Sequence, residues 1–102
     1  MKKIIDRLTY DTTTATACAV FYNGLSGSDF GYLRETLHRT RKGRFFLHGN
    51  GGASTWCAER VGNGAWGGEK IRALTEAEAM QWIEQRQIDP DQVVGIFEFE
   101  AA

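Results

Sequence analysis

Tyr32-Leu33-Arg34-Glu35-Thr36-Leu37-His38-Arg39-Thr40-Arg41-Lys42-Gly43-Arg44-Phe45-Phe46-Leu47-His48 decides how this chain folds. Tyr32, Arg34, Thr36 and His38 alternate with Leu33, Glu35, Leu37 and Arg39, the period of a strand. Arg41-Lys42-Gly43 suits a three-residue loop with glycine in the left-handed position. That loop sets Leu37 opposite Leu47 and Arg39 opposite Phe45. Leu33, Leu37, Phe45 and Leu47 then share one face, and Thr36, His38, Phe46 and His48 share the other. A slip of one residue would mix the two sets, so the register is well specified.

On the N-terminal side, Lys3-Ile4-Ile5 and Leu8-Thr9-Tyr10 flank Asp6-Arg7 as a short hairpin or bent edge strand. Asp11 is placed to cap a brief helical turn over Thr12–Ala17, which the threonines keep short. Ala19-Val20-Phe21-Tyr22 reads as a strand, and Asn23-Gly24 supplies the positive φ of its turn. On the C-terminal side, Gly49-Asn50-Gly51-Gly52 reads as a loop. Ser54 is expected to cap one helical turn holding Trp56, Cys57 and Val61, and Gly62 to Gly68 forms a second glycine loop. Lys70–Leu74 follows as a strand. Thr75-Glu76-Ala77-Glu78 is a capping box, in which the threonine side chain takes an amide and Glu78 reaches back. It opens a helix to about Gln87, with Ala79, Met80, Trp82 and Ile83 inward. Asp89-Pro90 restarts a helix docked by Val93, Val94 and Phe97, because proline at the first position loses no hydrogen bond.

Strands first and helices last predict a single α+β domain over residues 1–102, a small antiparallel sheet with a central hairpin packed by C-terminal helices. The 102 residues suit one domain, and 42% hydrophobic with 25% charged residues is ordinary globular usage. No apolar run approaches the ~20 residues of a membrane span. Met1-Lys2-Lys3-Ile4-Ile5-Asp6 has a basic flank without the apolar stretch of a signal peptide. Two cysteines, Cys18 and Cys57, without C-x-x-C spacing predict buried, reduced thiols in a cytoplasmic protein. The net charge of −1 hides an asymmetry. Residues 1–60 hold nine Lys/Arg against five Asp/Glu, and residues 61–102 hold three against eight.

Residues able to carry chemistry are few. Gly62-Asn63-Gly64-Ala65-Trp66-Gly67 matches G-x-G-x-x-G, but a strand rather than a helix is expected after it, so the motif lacks the helix end that holds a pyrophosphate. His38 and His48 share a face, and Cys57 would be needed beside them for a zinc site or a cysteine nucleophile. Hydrogen-bonded or exposed histidines without metal are the simpler reading. No nucleophile elbow or phosphate loop exists, and neither a cofactor nor a metal is expected. The most functional-looking surface is the basic hairpin, Arg34, Arg39, Arg41, Lys42 and Arg44. Guanidinium groups grip phosphates or carboxylates, and Phe46 or Tyr32 beside them could stack on a base. The plainer alternative is a solvated loop tip whose charges protect an edge from pairing. Trp56 and Trp66 either pin the glycine loops to the core or anchor an interface.

Four segments, Leu8–Ala15, Gly43–Gly52, Trp66–Ile71 and Leu74–Ala79, resemble in sequence and order a family of small proteins of bacterial genomes, integrative elements and phages. Some small mobile-element proteins of this look are associated with anti-CRISPR activity. The resemblance covers most of the chain, less well around Cys57–Val61 and the C-terminal segment, and brings no catalytic residues. It implies an accessory protein of a mobile element, acting by binding. The contact expected from the residues themselves is the basic hairpin with an exposed glycine-loop aromatic, Arg34, Arg39, Arg41, Lys42, Arg44 and Trp66, meeting a host protein or nucleoprotein complex. The alternatives are a nucleic-acid-binding module using the same hairpin, and a small enzyme or toxin built on His38, His48 and Cys57.

Overall fold

The central hairpin forms in the expected register. In the computed structural model, which describes all 102 residues, β4 (Leu33–Arg39) pairs antiparallel with β5 (Phe45–Gly51) from Leu33↔Gly51 through Leu37↔Leu47 to Arg39↔Phe45. Gly43 takes the left-handed conformation at φ 86. The Thr40 amide donates to the Arg44 carbonyl at 2.7 Å and the Gly43 amide to the Thr40 carbonyl at 2.9 Å, closing the loop.

Around this hairpin the chain adds β3 (Thr16–Tyr22) beside β4 and β8 (Gly68–Leu74) beside β5, giving an antiparallel sheet of order β3-β4-β5-β8. Cys18 forms a bulge between Ala17, which faces His38, and Ala19, which faces Leu37. Before the sheet, β1 (Lys2–Ile5) and β2 (Leu8–Asp11) make the N-terminal hairpin, turning at Asp6 (φ 50) and Arg7 (φ 66). Asp11 Oδ1 does accept the Thr13 amide at 2.9 Å, but the turn ends early and the chain is strand by Thr16. The β-branched threonines favour that outcome.

Three expectations between β5 and β8 need correction. Gly49-Asn50-Gly51 is not a loop but the second half of β5. Its glycines answer a lack of room, since a Cβ on Gly49 would overlap the Trp56 ring and the Cys57 sulfur. Ser54 caps no helix. Thr55 organises the turn instead, donating to the Gly52 carbonyl at 2.8 Å and accepting the Cys57 amide at 3.2 Å. The second glycine loop is a small hairpin, β6 (Glu59–Val61) with β7 (Gly64–Trp66), turning at Gly62 with φ 60. Val61 lies on that hairpin and is exposed.

The capping box is present at Thr75, and α1 runs Glu76–Gln85. The next helix, α2, is a single turn, Pro90–Val93, capped by Asp89. Val93 and Phe97 are buried while Val94 is exposed, so Val94 docks nothing. Strand far outweighs helix, and the chain is broadly α+β.

The sheet separates two cores, as its alternation requires. Leu37, Phe45 and Leu47 cluster with Cys18, Ala19, Ala79, Trp82, Ile83, Val93 and Phe97. On the other face Phe46 and Ile71 cluster with Tyr10 of β2, whose ring meets Phe46 edge-on at 5.5 Å. Leu37, Phe46 and Leu47 have no exposure, and each contributes about 1.5–3 kcal/mol by leaving water. No helix is long and apolar enough to cross a membrane.

Candidate partner-binding surfaces

The β4–β5 turn carries Arg41, Lys42 and Arg44 into solvent. With Thr40 they face Leu8, Thr9, Tyr10, Asp11 and Thr14 across a cleft of about 330 Å³. Asp11 is the one acid lining it, and that acid is engaged. Its carboxylate accepts the Thr13 hydroxyl at 2.7 Å and amide at 2.9 Å, lies 3.6 Å from Lys2 Nζ, and is held below the usual carboxylate range chiefly by the Thr13 bonds. None of the three tip cations has a carboxylate partner, the ion pairs of the fold being Lys2–Asp11, His48–Glu69 and Arg86–Glu35. The tip is therefore a cluster of three unanswered positive charges.

The other two expected cations are not part of this solvent-facing cluster, although the Arg39 guanidinium lies against Gly43 of the same turn. Arg39 lies on the core face, its guanidinium 5.9 Å from the Phe45 ring centre and its Nε buried without a partner. Arg34 is exposed near the far end of β4, opposite Asn50 and Tyr22. Five residues of strand separate it from Arg39, roughly 16 Å. Phe46 offers no stacking surface, because Tyr10 and the N-terminal hairpin cover it. Tyr32 is half-buried and meets Tyr22 edge-on at 5.9 Å.

His38 and His48 do share a face, with ring centres 6.3 Å apart. His48 Nε2 lies 3.2 Å from Glu69 Oε1. His38 stacks on Phe46 at 4.8 Å, and its Nδ1 is buried without a partner. Burial, then the neighbouring His48 and the N-terminal ammonium, lowers the His38 pKa. Cys57 is on the opposite side of the sheet, beneath Gly49. Side chains at consecutive positions of β5 point to opposite faces, so His48 and Cys57 cannot meet. Burial pushes the Cys57 thiol up to about 11 and raises that of Cys18, the reverse of what a nucleophile needs. The arrangement assembles no cysteine–histidine pair.

One polar node was not visible in the sequence. Glu35 is 1% exposed on the core face. Its Oε1 accepts Trp82 Nε1 at 2.9 Å and Arg86 Nε at 2.8 Å, and its Oε2 accepts Trp56 Nε1 at 2.8 Å. Arg86 also lies 4.3 Å over the Phe21 ring. Trp56 is thereby a pin for its loop. The only sequence signal for this was a charged residue on the apolar face of β4.

Trp66 is the opposite case. It sits on β7, 64% exposed, and the G-x-G-x-x-G around it opens no helix. It lines a second cleft, about 370 Å³, together with Phe30, Tyr32 and the glycines Gly51, Gly52, Gly67 and Gly68. No family model, curated protein or solved structure matches the chain.

Proposed function

We propose that this chain is a non-enzymatic binding protein of a phage or mobile element, an inhibitor of the anti-CRISPR kind that occludes a host nucleoprotein complex in the cytoplasm. The observation that carries the binding reading is the trio Arg41, Lys42 and Arg44, exposed and unpaired around one cleft. Unpaired cations on a projecting turn steer and orient an anionic partner surface. The separation of Cys57 from His38 and His48 favours binding over the enzyme reading. In this reading α1 and α2 are the cover over one sheet face, leaving the turn and the glycine-rich end free for a partner. The nucleoprotein target rests on the family resemblance.

Tagged protein is passed over host lysate with and without nuclease, and the retained proteins are identified by mass spectrometry. The expected result is a CRISPR effector or another defined nucleoprotein complex that survives nuclease. Arg41→Glu with Arg44→Glu should cut its retention at least about tenfold. Undiminished retention by that variant would remove the tip as the contact.

Direct nucleic-acid binding through the same cleft is the second reading, favoured by three cations beside the hydroxyls of Thr9, Thr14 and Thr40. If each cation neutralises one phosphate, log affinity for free duplex should fall with log salt at a slope of about −2.7. Recovery of nucleic acid alone, lost on nuclease treatment, would select it. The excess of acids in residues 61–102 weighs against it.

A further inference from the structure

The second cleft is built differently from the basic tip. Gly51 and Gly52 form its floor, and two walls rest on them. One wall is the segment after β3. The carbonyls of Asp29 and Phe30 lie so close to Gly52 that a Cβ there would overlap both. Its backbone is tied down, with the Gly52 amide donating to the Tyr32 carbonyl and the Ser54 amide to the Phe30 carbonyl, each at 2.9 Å. The other wall is the β7–β8 junction, where a Cβ on Gly67 would stand 2.9 Å from the Gly51 carbonyl.

Each wall carries an aromatic ring into solvent. Phe30 is 73% and Trp66 64% exposed. A lone exposed aromatic needs no explanation, but two on opposite walls of one cleft, with Tyr32 as a third lining residue, are a concentrated apolar surface. The Trp66 indole lies across Gly64, where a Cβ would be 3.7 Å from Nε1, so the ring lies along its own strand.

The charge of this cleft is the reverse of that at the tip. Asp29 is its one charged lining residue. Oδ1 accepts the Gly31 amide at 2.7 Å, which orients the carboxylate, while no protein donor or cation reaches Oδ2. Aromatic faces present negative charge, and rings around a carboxylate suit a cation and repel an anion. The cation whose chemistry matches such a lining is one that stacks on rings while its edge donates to a carboxylate, which is guanidinium rather than ammonium.

We propose that the Phe30–Trp66 cleft receives an arginine side chain of a partner protein. The residues take distinct roles: Trp66 and Phe30 supply the ring faces and Asp29 the counter-charge, while Gly51-Gly52 let the segment that carries Asp29 and Phe30 pack closely enough to face Trp66 across one cleft. This extends the binding reading to a second contact, on a surface distinct from the basic tip. A protein that handles nucleic acid displays arginines on its working surface, and a partner of that type would meet this cleft with them.

The test is a titration of the purified, 15N-labelled full chain with the tripeptide amide acetyl-Gly-Arg-Gly, followed by NMR. The expected result is saturable shifts of the Gly51, Gly52 and Gly67 amides and the Trp66 indole N–H, in the millimolar range proper to one side chain. Trp66→Ala, Phe30→Ala and Asp29→Asn should each weaken binding roughly fivefold or more. Both rings are mostly in solvent, so these variants should keep the dispersed Leu37 and Leu47 methyl signals of the folded core. An equal response to acetyl-Gly-Gln-Gly amide would overturn the proposal, as would shifts with adenosine monophosphate while the arginine peptide stays silent. No partner complex enters this experiment. A failed lysate capture with a positive titration would sink the inhibitor reading alone, and the converse would sink the arginine site alone.

Discussion

Glu35 and His38 are both buried polar side chains on β4, and they face opposite sides of the sheet. Glu35 points into the core with α1 and is met by three donors, two indoles and a guanidinium. His38 points under the N-terminal hairpin, stacks on Phe46 and keeps an unpartnered nitrogen. A buried group with all its partners ties distant segments into one arrangement, whereas one without them costs stability and leaves its face less firmly set. Trp56, Trp82 and Arg86 lie 21, 47 and 51 residues from Glu35. One carboxylate thus fixes a loop and a helix end to the sheet. The contrast teaches that the core face is specified by a buried, fully partnered polar group as well as by packing, while the buried polar side chain of the hairpin face, His38, adds no such bonds.

The largest effect should come from breaking the satisfied side. Glu35→Ala leaves two indoles unpaired in the core, with Arg86 able to turn toward water, and should cost roughly 2–4 kcal/mol in urea unfolding. Glu35→Gln keeps an acceptor and should cost about half as much. A loss below about 1 kcal/mol for Glu35→Ala would mean the three bonds do not hold that face together.

The unsatisfied side should show itself through acid. Unfolded, the His38 ring takes up a proton near the ordinary value of 6.5, while folded it resists until a lower pH. The unfolded chain then binds more protons in that window, and stability falls as pH drops below about 6.5, by at most about 1.4 kcal/mol per unit. His38→Phe should preserve the stacking and flatten this slope between pH 7 and 5 in thermal melts. An unchanged slope would place the acid sensitivity elsewhere.

The smallest effect sharpens the comparison from the covering hairpin. Asp6 and Arg7 both adopt positive φ without being glycine. Asp6→Asn with Arg7→Gly suits the same turn and should add about 0.5–1 kcal/mol, read as a raised unfolding midpoint. No gain would show that this turn does not limit how well the hairpin covers Phe46.

What the sequence disclosed was what short-range rules govern. The β4–β5 register follows from alternation and a three-residue loop, and the α1 start from residues Thr75 to Glu78 alone. Even the division of the basic set was available, since Arg34 and Arg39 differ in parity and cannot share a face of one strand. What stayed hidden depends on residues met only after folding. Gly49 reads as a loop residue until Trp56 and Cys57 are seen to fill the place of its side chain. Glu35 reads only as a charge on the apolar face of β4 until its donors arrive from two later segments, the Trp56 loop and the end of α1. The cleft between Phe30 and Trp66 needs two segments that are joined only by resting on Gly51-Gly52.

The two thiols, finally, give the fold its own stopwatch. Cys18 occupies the bulge of an edge strand and Cys57 lies beneath a central one, both buried and both poorly ionised. A thiol reagent reacts with each only as fast as its segment opens, so labelling rates at Cys18 and Cys57 compare the breathing of the sheet's rim with that of its middle.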